Sequence, residues 1–156
     1  MKKKSIIIWG LSLLVIRCSS DSVKEQRINW IKRDVLKYTL KIPAKYSIVY
    51  SKDSLSAVIQ GGNIKIDFIS GDFRIARFTN SKLIISESTI SSFKRVILDS
   101  ATNNSSTIAV ALWDTTTGSN LVNYKRYYGC ILGANNLSDR QKYIVVKIFN
   151  SLKPKN

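Results

Sequence analysis

Through much of the chain after residue 34, apolar and polar positions alternate with period two. Leu36, Tyr38, Leu40 and Ile42 alternate with Lys37, Thr39 and Lys41, the signature of a half-buried strand. Pro43 ends this run, because it cannot donate to a ladder. Tyr46, Ile48 and Tyr50 alternate again, and Ser54–Gln60 reads as a further short strand. Gly61-Gly62-Asn63 is a strong turn signal. Ile64, Ile66 and Phe68 then alternate with Lys65 and Asp67, and Ser70-Gly71-Asp72 predicts another turn. The first half of the chain therefore predicts a run of antiparallel hairpins.

The middle carries two competing patterns. Phe73–Phe78 and Lys82–Ile85 read as strands. Thr89–Asp99 places Ile90, Phe93 and Ile97 at helical spacing with Val96 beside them, and Ser88 stands where an N-cap belongs. That spacing predicts a middle helix, although the β-branched content of the segment favours a strand. Ala101–Thr107 reads as a loop, Ile108–Trp113 as a strand and Asp114–Asn120 as a polar turn. Val122, Tyr124, Tyr128, Cys130 and Leu132 share one face of a long strand, which Gly133–Asn136 is expected to break. The last element has the strongest start signal, since Ser138-Asp139-Arg140-Gln141 is a capping box. Ile144, Val145, Ile148, Phe149 and Leu152 follow as an apolar helical stripe, with Lys142, Lys147 and Asn150 on the other face.

The fold class predicted is α+β, an antiparallel β-sheet covered by a middle helix and an amphipathic C-terminal helix. Three stretches carry a resemblance: the strand Tyr38-Thr39-Leu40-Lys41-Ile42-Pro43, the run Gly133-Ala134-Asn135-Asn136-Leu137-Ser138, and the closing Ile148-Phe149-Asn150-Ser151-Leu152-Lys153. Together they resemble PsbP-like domains over roughly residues 35–153. The resemblance implies an α/β/α sandwich and a binding or assembly scaffold, with no catalytic residue to carry over.

The first residues have a different character. Lys2, Lys3 and Lys4 precede an apolar run, Ser5–Ile16, that suits a signal-peptide core and is short for a membrane span. The run closes on Arg17-Cys18-Ser19-Ser20-Asp21. An apolar stretch ending at Cys before small polar residues resembles the lipobox of bacterial lipoproteins. That family has a small residue where Arg17 stands here. The resemblance implies cleavage before Cys18 and acylation of its thiol. The chain then divides into a signal peptide (1–17), a lipidated N-terminus and tether (18–34) and a single α+β domain (35–156). Ser19 permits sorting to the outer membrane of a Gram-negative bacterium, on its periplasmic or surface face.

Composition narrows the chemistry. The 156 residues include no histidine, which excludes His-based acid–base work and His metal sites within the chain. Two cysteines, one of them Cys18, exclude a disulfide scaffold. Cys130 lies on the apolar face of its strand and reads as core. The acidic residues are scattered, and Gly61-Gly62 lacks the Lys-Ser/Thr of a phosphate loop. No catalytic residue, metal ligand or cofactor is expected. The net charge of +15 falls to +11 once four leader cations are removed, so the domain is basic in its own right. Lys125 and Arg126, beside Tyr127 and Tyr128, and Arg140 and Lys142 on the last helix are the candidates for contact with an anionic surface. The expected partners are the membrane, through the N-terminal lipid, and an envelope protein or acidic glycan, with no nucleic acid. The sequence thus reads as a non-enzymatic binding or assembly accessory of the cell envelope. The competing readings are an immunity-type protein that neutralises a partner enzyme or toxin, and an enzyme with a carboxylate or hydroxyl site.

Overall fold

A computed structural model describes residues 27–74, 83–102, 105–117, 119–121 and 124–155. Residues 1–26, which hold the expected leader, Cys18 and part of the expected tether, lie outside the described residues, as do residues 75–82 and Val122. The elements are β1 (Trp30–Val35), β2 (Tyr38–Pro43), β3 (Ser47–Tyr50), β4 (Ser56–Gly61), β5 (Ile64–Arg74), β6 (Ile84–Ile90), β7 (Phe93–Thr102), β8 (Ser105–Asp114), β9 (Ser119–Leu121), β10 (Tyr124–Leu137), α1 (Asp139–Asn150) and β11 (Lys153–Pro154).

The strands form two antiparallel sheets. The large one runs β3-β4-β5-β10-β8-β7-β6, with β9 paired onto β10. Arg126 of β10 pairs with Arg74 of β5 on one side and Ser119 of β9 on the other. β9 therefore lies on the β8 side of β10. The small sheet is β1-β2-β11. It packs beside α1 on one face of the large sheet. Tyr38, Leu40 and Ile42 of β2 and Val145, Ile148 and Phe149 of α1 are fully buried there with Phe68, Leu112, Cys130 and Leu132. The Tyr38 and Phe68 rings meet at 5.8 Å between centroids. The apolar stripe of the sequence is thus the buried side of α1, and its capping box is formed by Ser138 and Gln141.

The predicted middle helix is not there, and the α+β, PsbP-like sandwich reading is overturned with it. Among the described residues α1 is the one helix, and the protein is predominantly β. Thr89–Asp99 is a hairpin between β6 and β7, turning on Ser91-Ser92 with Ser91 at φ 54. Ser88 is a strand residue opposite Arg95 and caps nothing. Val96 and Ile97, adjacent in sequence, are both buried but in different clusters, one on each face of the sheet. Only a strand sends neighbours to opposite faces in this way.

Other boundaries move as well. Folded structure begins with β1 at Trp30, inside the segment read as tether. β5 runs straight through Ser70-Gly71-Asp72, where a turn was expected. β10 continues through Gly133–Asn136, where a break was expected, but its register on β8 shifts between Ala134 and Leu137, with Asn136 at φ 56. Gly71 and Gly129 lie opposite each other inside that ladder. A Cβ at Gly129 would sit 2.2 Å from the Leu112 carbonyl oxygen, 2.8 Å from Trp113 Cα and 2.9 Å from Phe73 Cζ. The Phe73 ring lies over this glycine, and Trp113 is almost fully buried beside it.

Candidate functional site

Cys130 offers little reactivity. Its thiol is buried, and burial pushes its pKa well up. The Tyr38 hydroxyl lies beside Cys130 and Ser70 and makes no hydrogen bond of good geometry. Burial raises the Tyr38 pKa too. A thiol that resists ionisation is a poor nucleophile, so this cluster is core. Among the described residues no three His, Cys, Asp or Glu side chains come together as metal ligands.

Arg95 has a structural task. It reaches from β7 across to α1, where Nη1 donates to the carbonyls of Asn150 and Leu152. Burial lowers its pKa, and its Nε is buried without a partner. The guanidinium closes the C-terminal end of the helix, where cations are favoured by the dipole.

The sequence candidates do not form one patch. Arg126 is exposed near the start of β10, while Arg140 and Lys142 stand in the first turn of α1. The intervening stretch of β10 separates these ends by roughly 35 Å at the rise of a strand. Lys125 pairs with Asn120 in the backbone ladder; its side chain lies outside the described residues. Lys142 forms an ion pair with Asp99. Arg140 is exposed and borders a cleft of about 380 Å³ with Ile28, Lys45 and Tyr46.

The structure assembles a different basic surface. A hairpin turning on Leu36-Lys37 sets Lys32 of β1 directly opposite Lys41 of β2. Directly opposed like charges destabilise a sheet. Strand alternation puts Trp30, Lys32 and Asp34 on the same side as Thr39, Lys41 and Pro43, and the register of β11 adds Lys153. The other side of these strands carries Val35, Tyr38, Leu40 and Ile42 into the core. The lysines therefore face away from the large sheet, and all three are exposed. Asp34 is the carboxylate on this side, and it is engaged. Lys155 Nζ lies 2.9 Å from it and Thr39 donates to it at 2.8 Å. Those bonds, Lys155 first, hold its pKa below the ordinary value.

The exposed side of α1 extends the surface. Lys147 Nζ lies 5.3 Å from the Trp30 ring centroid and 5.4 Å from that of Tyr143, and donates to the Tyr143 hydroxyl at 3.4 Å. Tyr143 is 54% exposed. Among the described residues, Lys32, Lys41, Lys147 and Lys153 have no carboxylate at ion-pair distance, whereas Lys65, Lys94, Lys142 and Lys155 each have one. Sequence reading missed this juxtaposition. The signal available was a sum: a two-residue turn at 36–37 must pair residues 32 and 41.

The reverse face of the large sheet is open in part. Val49 and Ile69 are more than half exposed on it, beside the buried cluster of Val96, Ala111 and Trp113. No helix among the described residues is long and apolar enough to cross a membrane. In comparisons with known proteins, no family model matches the chain and no curated protein matches it.

Proposed function

We propose that the protein is a lipid-anchored accessory of the bacterial cell envelope, held by acyl groups on Cys18 and acting by binding or assembly rather than by catalysis. The observation that carries this reading is the N-terminal order itself: three lysines, an apolar run of twelve, then Arg17 and Cys18 before small polar residues. Only eight residues lie between Cys18 and Arg27, where the described residues begin. An anchor at Cys18 keeps the domain within about 30 Å of the bilayer, the reach of the nine extended Cα-to-Cα steps from Cys18 to Arg27. Two or three acyl chains anchor stably, because each buried methylene contributes about 0.8 kcal/mol. Ile69, 59% exposed on the open face of the large sheet, is the position at which a binding role of that face is probed.

Crosslinking in the intact envelope followed by affinity purification tests the binding half. One dominant protein partner, lost when Ile69→Glu is introduced, is the expected result. A crosslinking pattern identical in the wild type and the variant would count against that face. Metabolic labelling with a fatty-acid analogue tests the anchor.

A further inference from the structure

We infer that the outward face of the small sheet, continued by the exposed side of α1, is the surface by which the domain rests on an anionic lipid bilayer. This rests on the lipid-anchor reading and specifies how the anchored domain is oriented. The supporting facts are independent of the leader. Lys32, Lys41, Lys147 and Lys153 face one way, with no carboxylate partner among the described residues. The Lys32–Lys41 juxtaposition is unfavourable in an isolated domain, and an apposed layer of phosphates would turn that repulsion into attraction. Trp30 and Tyr143 stand among these lysines, the residue types that settle at the headgroup level. The face is built on a sheet and a helix, both packed on the core, so its charges are held in a fixed array.

The point of chain entry agrees with this orientation. Arg27 lies three residues before Trp30 and lines a small cleft with Pro43, Ala44 and Lys45, and the backbone there is tied down by Ala44, whose N–H donates to the Asn29 carbonyl at 2.8 Å. A chain anchored at Cys18 can therefore lay this face down without passing around the domain. The opposite side of the molecule, the open face of the large sheet, is then turned toward the aqueous phase and a protein partner. A basic face near a bilayer gains most at low ionic strength and loses its advantage within a Debye length.

The test uses the mature lipidated chain, which begins at Cys18 and so lacks Trp9, reconstituted into vesicles carrying brominated lipids. Emission then comes from Trp30 at the surface and Trp113 in the buried cluster. Neutral phosphatidylcholine vesicles are compared with vesicles containing about 30% phosphatidylglycerol. The expected result is at least a twofold greater quenching in the anionic vesicles. That excess should vanish in about 0.5 M NaCl, where the Debye length is about 4 Å, and in Lys32→Gln/Lys41→Gln/Lys153→Gln. A Trp30→Phe variant should remove most of the quenchable signal. Equal quenching in neutral and anionic vesicles, with the protein still floating with both, overturns the orientation while leaving the anchor intact. Failure to float with neutral vesicles signals instead that the anchor reading is wrong. Binding of a soluble acidic polysaccharide through the same lysines, with no response to vesicle charge, overturns the proposal in favour of a glycan. The salt arm needs no substitution, so a variant that misfolds does not remove the test.

Discussion

Gly129 and Gly133 lie on the same face of β10, four residues apart, yet alanine should act on them in opposite directions. At Gly129 the added methyl meets the Leu112 carbonyl oxygen at 2.2 Å and Trp113 Cα at 2.8 Å, both backbone of β8, and the Phe73 ring at 2.9 Å. A ring can rotate away, but the neighbouring strand cannot move without disturbing the ladder from Gly129–Trp113 to Ala134–Ile108. Overpacking of this kind costs about 1–3 kcal/mol, and the backbone contacts place Gly129→Ala at the upper end, about 3 kcal/mol. At Gly133 no atom lies within 4 Å of the new Cβ and the backbone is not in the left-handed region. There the loss of unfolded-state freedom should stabilise by about 0.4–1 kcal/mol. For a domain of this size these values correspond to a melting temperature lower by roughly 10 °C for Gly129→Ala and higher by roughly 2–4 °C for Gly133→Ala. Urea titration followed by tryptophan emission reads both, since Trp113 is the buried reporter next to Gly129. Equal midpoints for the two variants, or a more stable Gly129→Ala, would refute the placement of β8, β10 and Phe73.

Three further outcomes are expected. Arg95→Met removes the charged donor to the Asn150 and Leu152 carbonyls, but also the cost of an unpartnered buried Nε; the net loss should be about 1–3 kcal/mol, with faster hydrogen exchange in the last turn of α1, and an unchanged urea midpoint would rule out the capping role. Because Asp34 is held below the ordinary aspartate pKa by Lys155 and then Thr39, its contribution to stability is present above the ordinary aspartate pKa of about 4 and lost as pH falls through its lower folded-state value; Lys155→Met should lower the urea midpoint slightly at neutral pH, by an amount that shrinks as the pH is lowered through the acid range, whereas a drop independent of pH would remove Asp34 as the partner. The Cys130 thiol, buried and hard to ionise, should ignore maleimide in the native protein and react on unfolding, so rapid labelling without denaturant would contradict its core position.

The strands were legible where one face is buried and the other solvated. Ile64, Ile66 and Phe68 alternate with Lys65 and Asp67 in sequence, and in the structure the first set is buried and the second exposed. The α1 boundary was legible because a capping box is a local device. Legibility failed where both faces of a strand are covered. Ile90, Phe93 and Ile97 have helical spacing only because Ile90 and Phe93 flank a two-residue turn, and Val96 beside Ile97 hides the period of two. It failed again where glycine serves the sheet rather than a turn: Gly129 sits in mid-sheet because Phe73 and the β8 backbone need the space, and Gly71 opposite it because its backbone takes φ 151. The basic face was hidden for a third reason. Its hairpin turns on Leu36-Lys37 with Leu36 at φ 55, and no Gly, Asn or Asp marks that turn. Without the turn Lys32 belonged to a tether and Lys41 to a strand. The predicted patch joined Lys125 and Arg126 to Arg140 and Lys142 by charge alone, and β10 holds those groups at opposite ends.

The account stands on acylation of Cys18. Metabolic labelling with an alkyne fatty acid, read by in-gel fluorescence and intact mass for the wild type and Cys18→Ala, tests it most directly. The account predicts a labelled wild type lacking residues 1–17 and heavier than its peptide by the acyl groups, and an unlabelled Cys18→Ala. An unlabelled wild type that keeps its leader, or equal labelling of both chains, would contradict it.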